Sequence, residues 1–228
     1  MTDPAGECSV VHLGRMPYLD ALALQERVRD AREASLIGDT LLLLEHDAVY
    51  TRGRRSSPAE LPRGEAWYGE RGIDVVDTNR GGRVTYHAPG QLVGYPIVKT
   101  DDVIAHVRLL ERVIIEALGK QGVAARAREE EGADFTGVWT EERKIASIGV
   151  HLRRSITTHG FAVNVEMDLE PWSWIVPCGL DVSITSIARE TGGSPDSDLF
   201  SRQIADAWAA ENGCSINLLT AEQLATLA

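Results

Sequence analysis

Lysine is almost missing from this 228-residue sequence: Lys99, Lys120 and Lys144 are the only three, and arginine carries nearly all of the positive charge. Acidic residues outnumber basic ones, 34 to 23, for a formal net charge of −11. That balance argues against nucleic acid as a partner, because neutralising phosphates takes a basic surface. Long apolar runs are also lacking. The longest clean one is Leu41 to Leu44, far short of the roughly 20 residues a bilayer span needs. Met1-Thr2-Asp3-Pro4-Ala5-Gly6-Glu7 has no basic stretch leading into an apolar core, so it does not read as a secretion signal, and a cytoplasmic location is expected. Cysteine is scarce: Cys8, Cys178 and Cys214 are an odd number scattered along the chain. That usage argues against a disulfide framework, fits a reducing compartment and leaves room for a reactive thiol.

What is present is ordinary for a globular enzyme, with 43% hydrophobic and 25% charged residues. The length suits one domain over residues 1–228. Tyr18 to Ala34 is rich in helix formers, with Leu19, Leu22, Val28 and Ala31 as an imperfect apolar stripe. Thr40 to Glu45 reads as a short buried strand ending at His46, and Arg52 to Gly64 as a mobile loop rich in arginine, serine and proline. Asp102 to Gly122 is the clearest helix, apolar at Val103, Val107, Leu110, Ile114 and Leu118, with an aspartate to cap its start. Strands are expected over Phe135 to Thr140, Arg143 to Leu152 and Ile156 to Val165, with a turn at Arg153-Arg154-Ser155. In the second of these, period two puts Lys144, Ala146, Ile148, Val150 and Leu152 on one face. Ser197 to Asn212 is a further helix, and Thr220 with Gln223 forms a capping box for a short last one. The order is α+β: a mixed, mainly antiparallel sheet with flanking helices.

Three stretches carry chemistry. Arg80-Gly81-Gly82-Arg83-Val84-Thr85-Tyr86-His87-Ala88-Pro89-Gly90-Gln91-Leu92 pairs glycines with hydrogen-bonding side chains, so a ligand could approach the main chain closely; a strand between two ordinary turns explains it equally well. Lys144 heads an apolar strand face, which makes it a candidate for desolvation; the plainer alternative is a lysine reaching from a strand end into water. Cys178, between Pro177 and Gly179, sits on an irregular loop where its sulfur could be exposed, although an isolated cysteine is more often a small buried hydrophobe. The six histidines show no zinc-ligand spacing with the cysteines.

Taken together, RGGRVTYHAPGQL, RKIASIG and THGFAVNV with a downstream PCGL resemble the octanoyltransferases of lipoate biosynthesis. The likeness runs in unbroken order from about Leu43 to Ile187 and includes Glu45 to Arg54. Two departures stand out: the family usually has glycine at Ala88 and commonly leucine near Phe161. The resemblance implies the catalytic-domain fold of biotin and lipoate protein ligases. It implies transfer of an octanoyl group from acyl carrier protein to a lysine on lipoyl domains of 2-oxoacid dehydrogenases or the glycine-cleavage H protein, with no metal and no ATP. Carried onto this chain, Cys178 is the acyl acceptor and Lys144 its acid/base partner. Arg80 to His87, Ser147, Ile148, Gly149, Gly160, Phe161 and Ala162 then line the acyl site.

A thioester donor and an amine acceptor suit a two-step covalent route through a thiolate, which a neighbouring ammonium favours. Backbone N–H groups near Gly81-Gly82 or Cys178 are candidate oxyanion donors. Arg52, Arg54, Arg55 and Arg63 offer a positive patch for an acidic carrier, or a solvated loop. Three rivals stand beside this reading: an ATP-dependent lipoate or biotin ligase, a cysteine hydrolase pairing Cys178 with His159 or His87, and a non-catalytic acyl-binding module.

Overall fold

The computed structural model describes residues 6–176 and 182–228. In chain order, β1 (Glu7–Met16) leads through α1 (Tyr18–Glu33) to β2 (Thr40–His46) and β3 (Val49–Arg52). Next come α2 (Glu65–Gly69), β4 (Asp74–Asp77), β5 (Thr85–His87), β6 (Gln91–Ile97) and α3 (Val103–Lys120). The run β7 (Arg126–Ala127), β8 (Gly137–Thr140), β9 (Arg143–Arg153) and β10 (Ile156–Asn164) follows. The chain closes through β11 (Ser183–Ile184), α4 (Ile187–Thr191), α5 (Ser197–Asn212), β12 (Ser215–Leu219) and α6 (Ala221–Leu227).

Nine strands form one mixed sheet in the order β12-β1-β2-β6-β10-β9-β8-β7, with β11 beside β9. The β12-β1-β2 end is parallel, β11 also runs parallel to β9, and the other pairings are antiparallel. A second sheet has the order β4-β3-β5. Strand β2 shows why both faces of the large sheet are buried. Leu41 and Leu43 enter one cluster with Leu110, Ile114, Phe200 and Trp208 of α3 and α5, while Leu42 and Leu44 enter another with Ala21, Leu24 and Val28 of α1. Alternation thus feeds two cores, each large side chain contributing about 1.5–3 kcal/mol when fully buried. No described helix is long and apolar enough to cross a membrane.

Helix α3 begins where its sequence says, Asp102 Oδ1 accepting from the Ile104 and Ala105 N–H groups at 3.0 and 2.9 Å. Thr220 and Gln223 close the expected capping box on α6. The turn between β9 and β10 puts both Arg154 and Ser155 at positive φ, a hairpin geometry that matches strand twist.

Four expectations change. The apolar stripe of α1 does not include Leu19, which is 60% exposed; the buried face runs through Tyr18, Ala21, Leu24, Gln25, Val28 and Arg29. Arg52 to Gly64 is tied down as well: Pro58–Glu60 is a 3₁₀ turn, and buried Glu60 accepts from the Ser57 and Val84 N–H groups and from Arg83. Its arginines are partly neutralised, Arg52 by Asp77 and Glu65, Arg55 by Asp134. Finally, Cys8 and Cys214 form a disulfide with Cα atoms 5.8 Å apart, against the expectation of unpaired thiols. Parallel pairing of β1 with β12 brings together residues 206 apart in sequence, which no spacing rule reveals.

The fourth change concerns Lys144. Between β8 and β9 the register slips: Val138 pairs with Ala146 but Trp139 with Lys144, leaving Ile145 as the extra residue of a bulge. Ile145 and Ala146 both join the core under α3. Lys144 therefore parts from the face of Ala146 and lies beside Gly137 and Trp139, its Nζ 5.3 Å from the Trp139 ring centroid.

Candidate active site

The site assembles at the joint between the two sheets. The turn before β5 leans on β9: Gly81 N–H donates to Val150 O at 2.9 Å, which commits one of the suggested oxyanion donors to a strand contact. Arg80, 7% exposed, is fixed by Thr51, its Nη2 donating to Thr51 O at 2.6 Å and to Thr51 Oγ1 at 2.8 Å. A cavity of about 320 Å³ opens here. Its walls are Arg80 to Thr85 and His87 from the turn and β5, Ser147 to Val150 from β9, and His159 to Ala162 from β10. Lys144 lines it too and is 4% exposed.

Tyr86 does not reach this cavity. Alternation along β5 sends it into the aromatic cluster of Tyr50 and Trp172, while Thr85 and His87 face the cavity. Tyr18, Tyr95, Val103 and Val107 line the cavity although the sequence did not single them out for it. The valines were visible only as part of α3's apolar stripe, and the tyrosines carried no local signal, because their role comes from which strands become neighbours.

A string of hydrogen bonds orients the polar wall. Gln91 Nε2 donates to Tyr86 O at 3.0 Å and to Asn164 Oδ1 at 2.9 Å, which leaves Gln91 Oε1 to accept from His87 Nδ1 at 2.7 Å. That fixes the tautomer: His87 Nδ1 carries the proton and Nε2 is an acceptor. Burial, reinforced by the nearby His46 and Arg80, pushes the His87 pKa well below its ordinary value, so the ring is neutral. His46 is neutral for the same main reason, lowered to about 4, with Nδ1 donating to Met16 O and Nε2 accepting from Tyr95 Oη at 2.7 Å. His159, lowered to about 3 by burial, donates through Nε2 to Asn79 Oδ1.

The string continues to Lys144. Asn164 Nδ2 donates to Thr185 O at 2.8 Å, and Thr185 N–H donates to Lys144 O at 3.0 Å. Strand β11 pairs Ile184 with Lys144 and Ser183 with Arg143, and Arg143 grips Glu190 through two bonds of 2.9 Å each. Thr185 Oγ1 adds a bond of 2.5 Å to the same carboxylate. The segment after residue 181 is thus riveted to β9 beside the lysine. Cys178 itself lies outside the described residues.

Residues 17–209 match the family described as the lipoyl protein ligase A/B catalytic domain. A protein of Solibacter usitatus named octanoyltransferase is 48% identical over 185 residues, covering 79% of this chain and 82% of its own. One of the same name from Caldicellulosiruptor bescii is 42% identical over 221 residues, 95% of this chain and 96% of its own. Among solved structures, lipoate-protein ligase A bound with ATP superposes with a TM-score of 0.76 at 18% identity, over 97% of this chain and 92% of that one, which shows a shared fold. With its motifs in family order and its mixed sheet folded like the ligases, this chain belongs to the lipoyl protein ligase A/B catalytic-domain family, within its octanoyltransferases.

Proposed function

We propose that the chain moves an octanoyl group from octanoyl-acyl carrier protein to a lysine of lipoyl domains, through a thioester on Cys178 with Lys144 as acid and base. The observation that carries this reading is a buried lysine on the wall of a largely apolar cavity, paired through β11 with the segment that begins a few residues after the PCGL motif. Relatives named octanoyltransferase supply the acyl group. An archaeal lipoylation system of the same fold, described with its E2 lipoyl domain, supports the acceptor class.

The steps balance. The Cys178 thiolate attacks the donor's thioester carbonyl, forming a new C–S bond; the carrier's sulfur leaves and takes a proton from the Lys144 ammonium. The acceptor amine then attacks acyl-Cys178, neutral Lys144 takes its proton, and the Cys178 thiolate leaves, regenerating the pair. The route uses no metal and no ATP. An octanoyl tail in the cavity contributes about 0.8 kcal/mol per buried methylene before ordering costs. Neutral His87 and the fixed Arg80 border the same space.

Intact-mass measurement after incubation with octanoyl carrier protein tests the reading. An octanoyl adduct is expected on the wild type and absent in Cys178→Ala; an adduct that persists in that variant rejects the nucleophile. Lys144→Arg keeps the charge but cannot be deprotonated, so transfer should fall by roughly 10²–10⁴-fold. Undiminished transfer by that variant rejects the base. The ATP-bound fold relative sets the rival reading of a ligase, and transfer that requires ATP would favour it.

A further inference from the structure

One row of residues crosses four strands of the large sheet on the face under α3. Leu43 of β2 pairs with Gly94 of β6, Gly94 with Phe161 of β10, and Phe161 with Ile148 of β9. Leu43, Phe161 and Ile148 belong to the same apolar cluster, and Gly94 alone in the row has no side chain. The Phe161 ring fills the gap. A Cβ built on Gly94 would lie 2.1 Å from Phe161 Cζ and 2.5 and 2.7 Å from its two Cε atoms, so the far edge of the ring rests where a side chain would stand. This is an aromatic ring covering a cross-strand glycine.

Phe161 also lines the cavity, together with its strand partner Ile148 and with Val107 of α3. The ring therefore has two options: to recline over Gly94, as it does, or to stand into the cavity. We propose that the Gly94–Phe161 pair sets the depth of the acyl pocket and hence the longest chain the enzyme accepts. The inference rests on the acyl-transfer reading above and adds to it the residues that select chain length.

Steric reasoning gives the signs. In Gly94→Ala the new methyl displaces the ring toward the cavity and shortens it; in Phe161→Ala the floor is removed and the cavity deepens. Each buried methylene is worth about a fourfold change in affinity, so two methylenes correspond to roughly 15-fold. The test is kcat/KM for C6, C8, C10 and C12 acyl carrier proteins, together with binding of the free C6 to C12 carboxylates. Gly94→Ala should depress the C10-to-C8 ratio by about tenfold, and Phe161→Ala should raise it by a similar factor. Because all three nearest atoms to the added methyl belong to Phe161, Gly94→Ala combined with Phe161→Ala should restore folding if the single glycine variant is unstable, with the deep-pocket profile. Unchanged chain-length ratios in folded Phe161→Ala and in the double variant overturn the proposal. A wild type that transfers no acyl group of any length defeats the functional reading instead, while carboxylate binding still reports the pocket's depth.

Discussion

The two faces of the large sheet are packed on different principles. Under α3 and α5 the contact is mostly hydrocarbon: Leu110, Ile114, Leu118, Phe200, Ile204 and Trp208 meet Leu41, Leu43, Phe161 and Val163. Under α1 the apolar cluster of Leu42, Leu44, Val93 and Ala162 is interleaved with buried Gln25, His46, Tyr95, Gln91, Asn164 and His159. Hydrocarbon packing is non-directional and fixes little beyond volume, whereas each buried polar atom demands a partner at a set distance and angle. The α1 face therefore holds rings and amides in single orientations next to the cavity, and the α3–α5 face supplies stability. The cavity sits where the two meet, with valines of α3 on one side and His87, His159 and Tyr95 on the other.

The sharpest way to break this contrast is to cut a large side chain from the dry face. Trp208→Ala should cost about 3–5 kcal/mol, with a fall in Tm on the order of 10 °C, and leave transfer by the remaining folded protein intact. Thermal melts beside initial rates at low temperature check it; a catalytic defect in excess of the lost folded fraction would erase the distinction between faces. On the polar face, Gln91→Leu leaves the Tyr86 carbonyl and Asn164 Oδ1 without their donor and releases the His87 ring. A stability loss of about 1–3 kcal/mol is expected, accompanied by a drop in kcat that the Trp208 variant lacks.

Acid should act in part through the same face, with buried His106 of α3, its pKa also lowered to about 4 by burial, adding to it from the other. His46 and His159 are held neutral, with pKa values lowered to about 4 and about 3 from 6.5. At pH above 6.5 they are uncharged in folded and unfolded chains alike, so they impose no cost there. As pH falls below 6.5 the unfolded chain takes up protons that the folded one refuses, and stability declines until the folded values are reached. Urea unfolding at pH 7 and pH 5 measures this, and His46→Gln should flatten the slope by about one proton's worth. Equal slopes in variant and wild type would remove His46 from the account. The smallest effect belongs to the cap of α3: Asp102→Ala removes two accepted N–H bonds at an exposed helix end and should cost about 1 kcal/mol in denaturant melts.

The elements with strong local signals are legible in the sequence. Ser197–Asn212 matches its periodic stretch residue for residue, Asp102 proves to be the cap of α3 where the sequence offered Asp101 or Asp102, and Thr220 caps α6 as expected. The cavity wall was legible in part, since Arg80 to Thr85, His87, Ser147 to Gly149 and Gly160 to Ala162 come together as their motifs suggest. Tyr86 was misplaced for a simple reason: a motif read as a unit ignores that successive strand residues face opposite ways. The orientation of Lys144 was misread because a bulge at Ile145 shifts the period by one. No residue in RKIASIG announces that bulge; it arises from how β8 must meet β9.

Sequence alone thus determined the chemistry on offer: a rare lysine, a cysteine between a proline and a glycine, glycine-rich turns and two strongly periodic helices. These depend on residue identity and on neighbours a few positions away, which the linear order records. Tertiary structure decided which face Lys144 takes, that Cys8 and Cys214 join across 206 residues, and that Phe161 lies down over Gly94. The first turns on a bulge where neighbouring strands meet and the other two on strand partners far apart in the chain, and the energy that selects a partner comes from filling space that exists only once the sheet has formed.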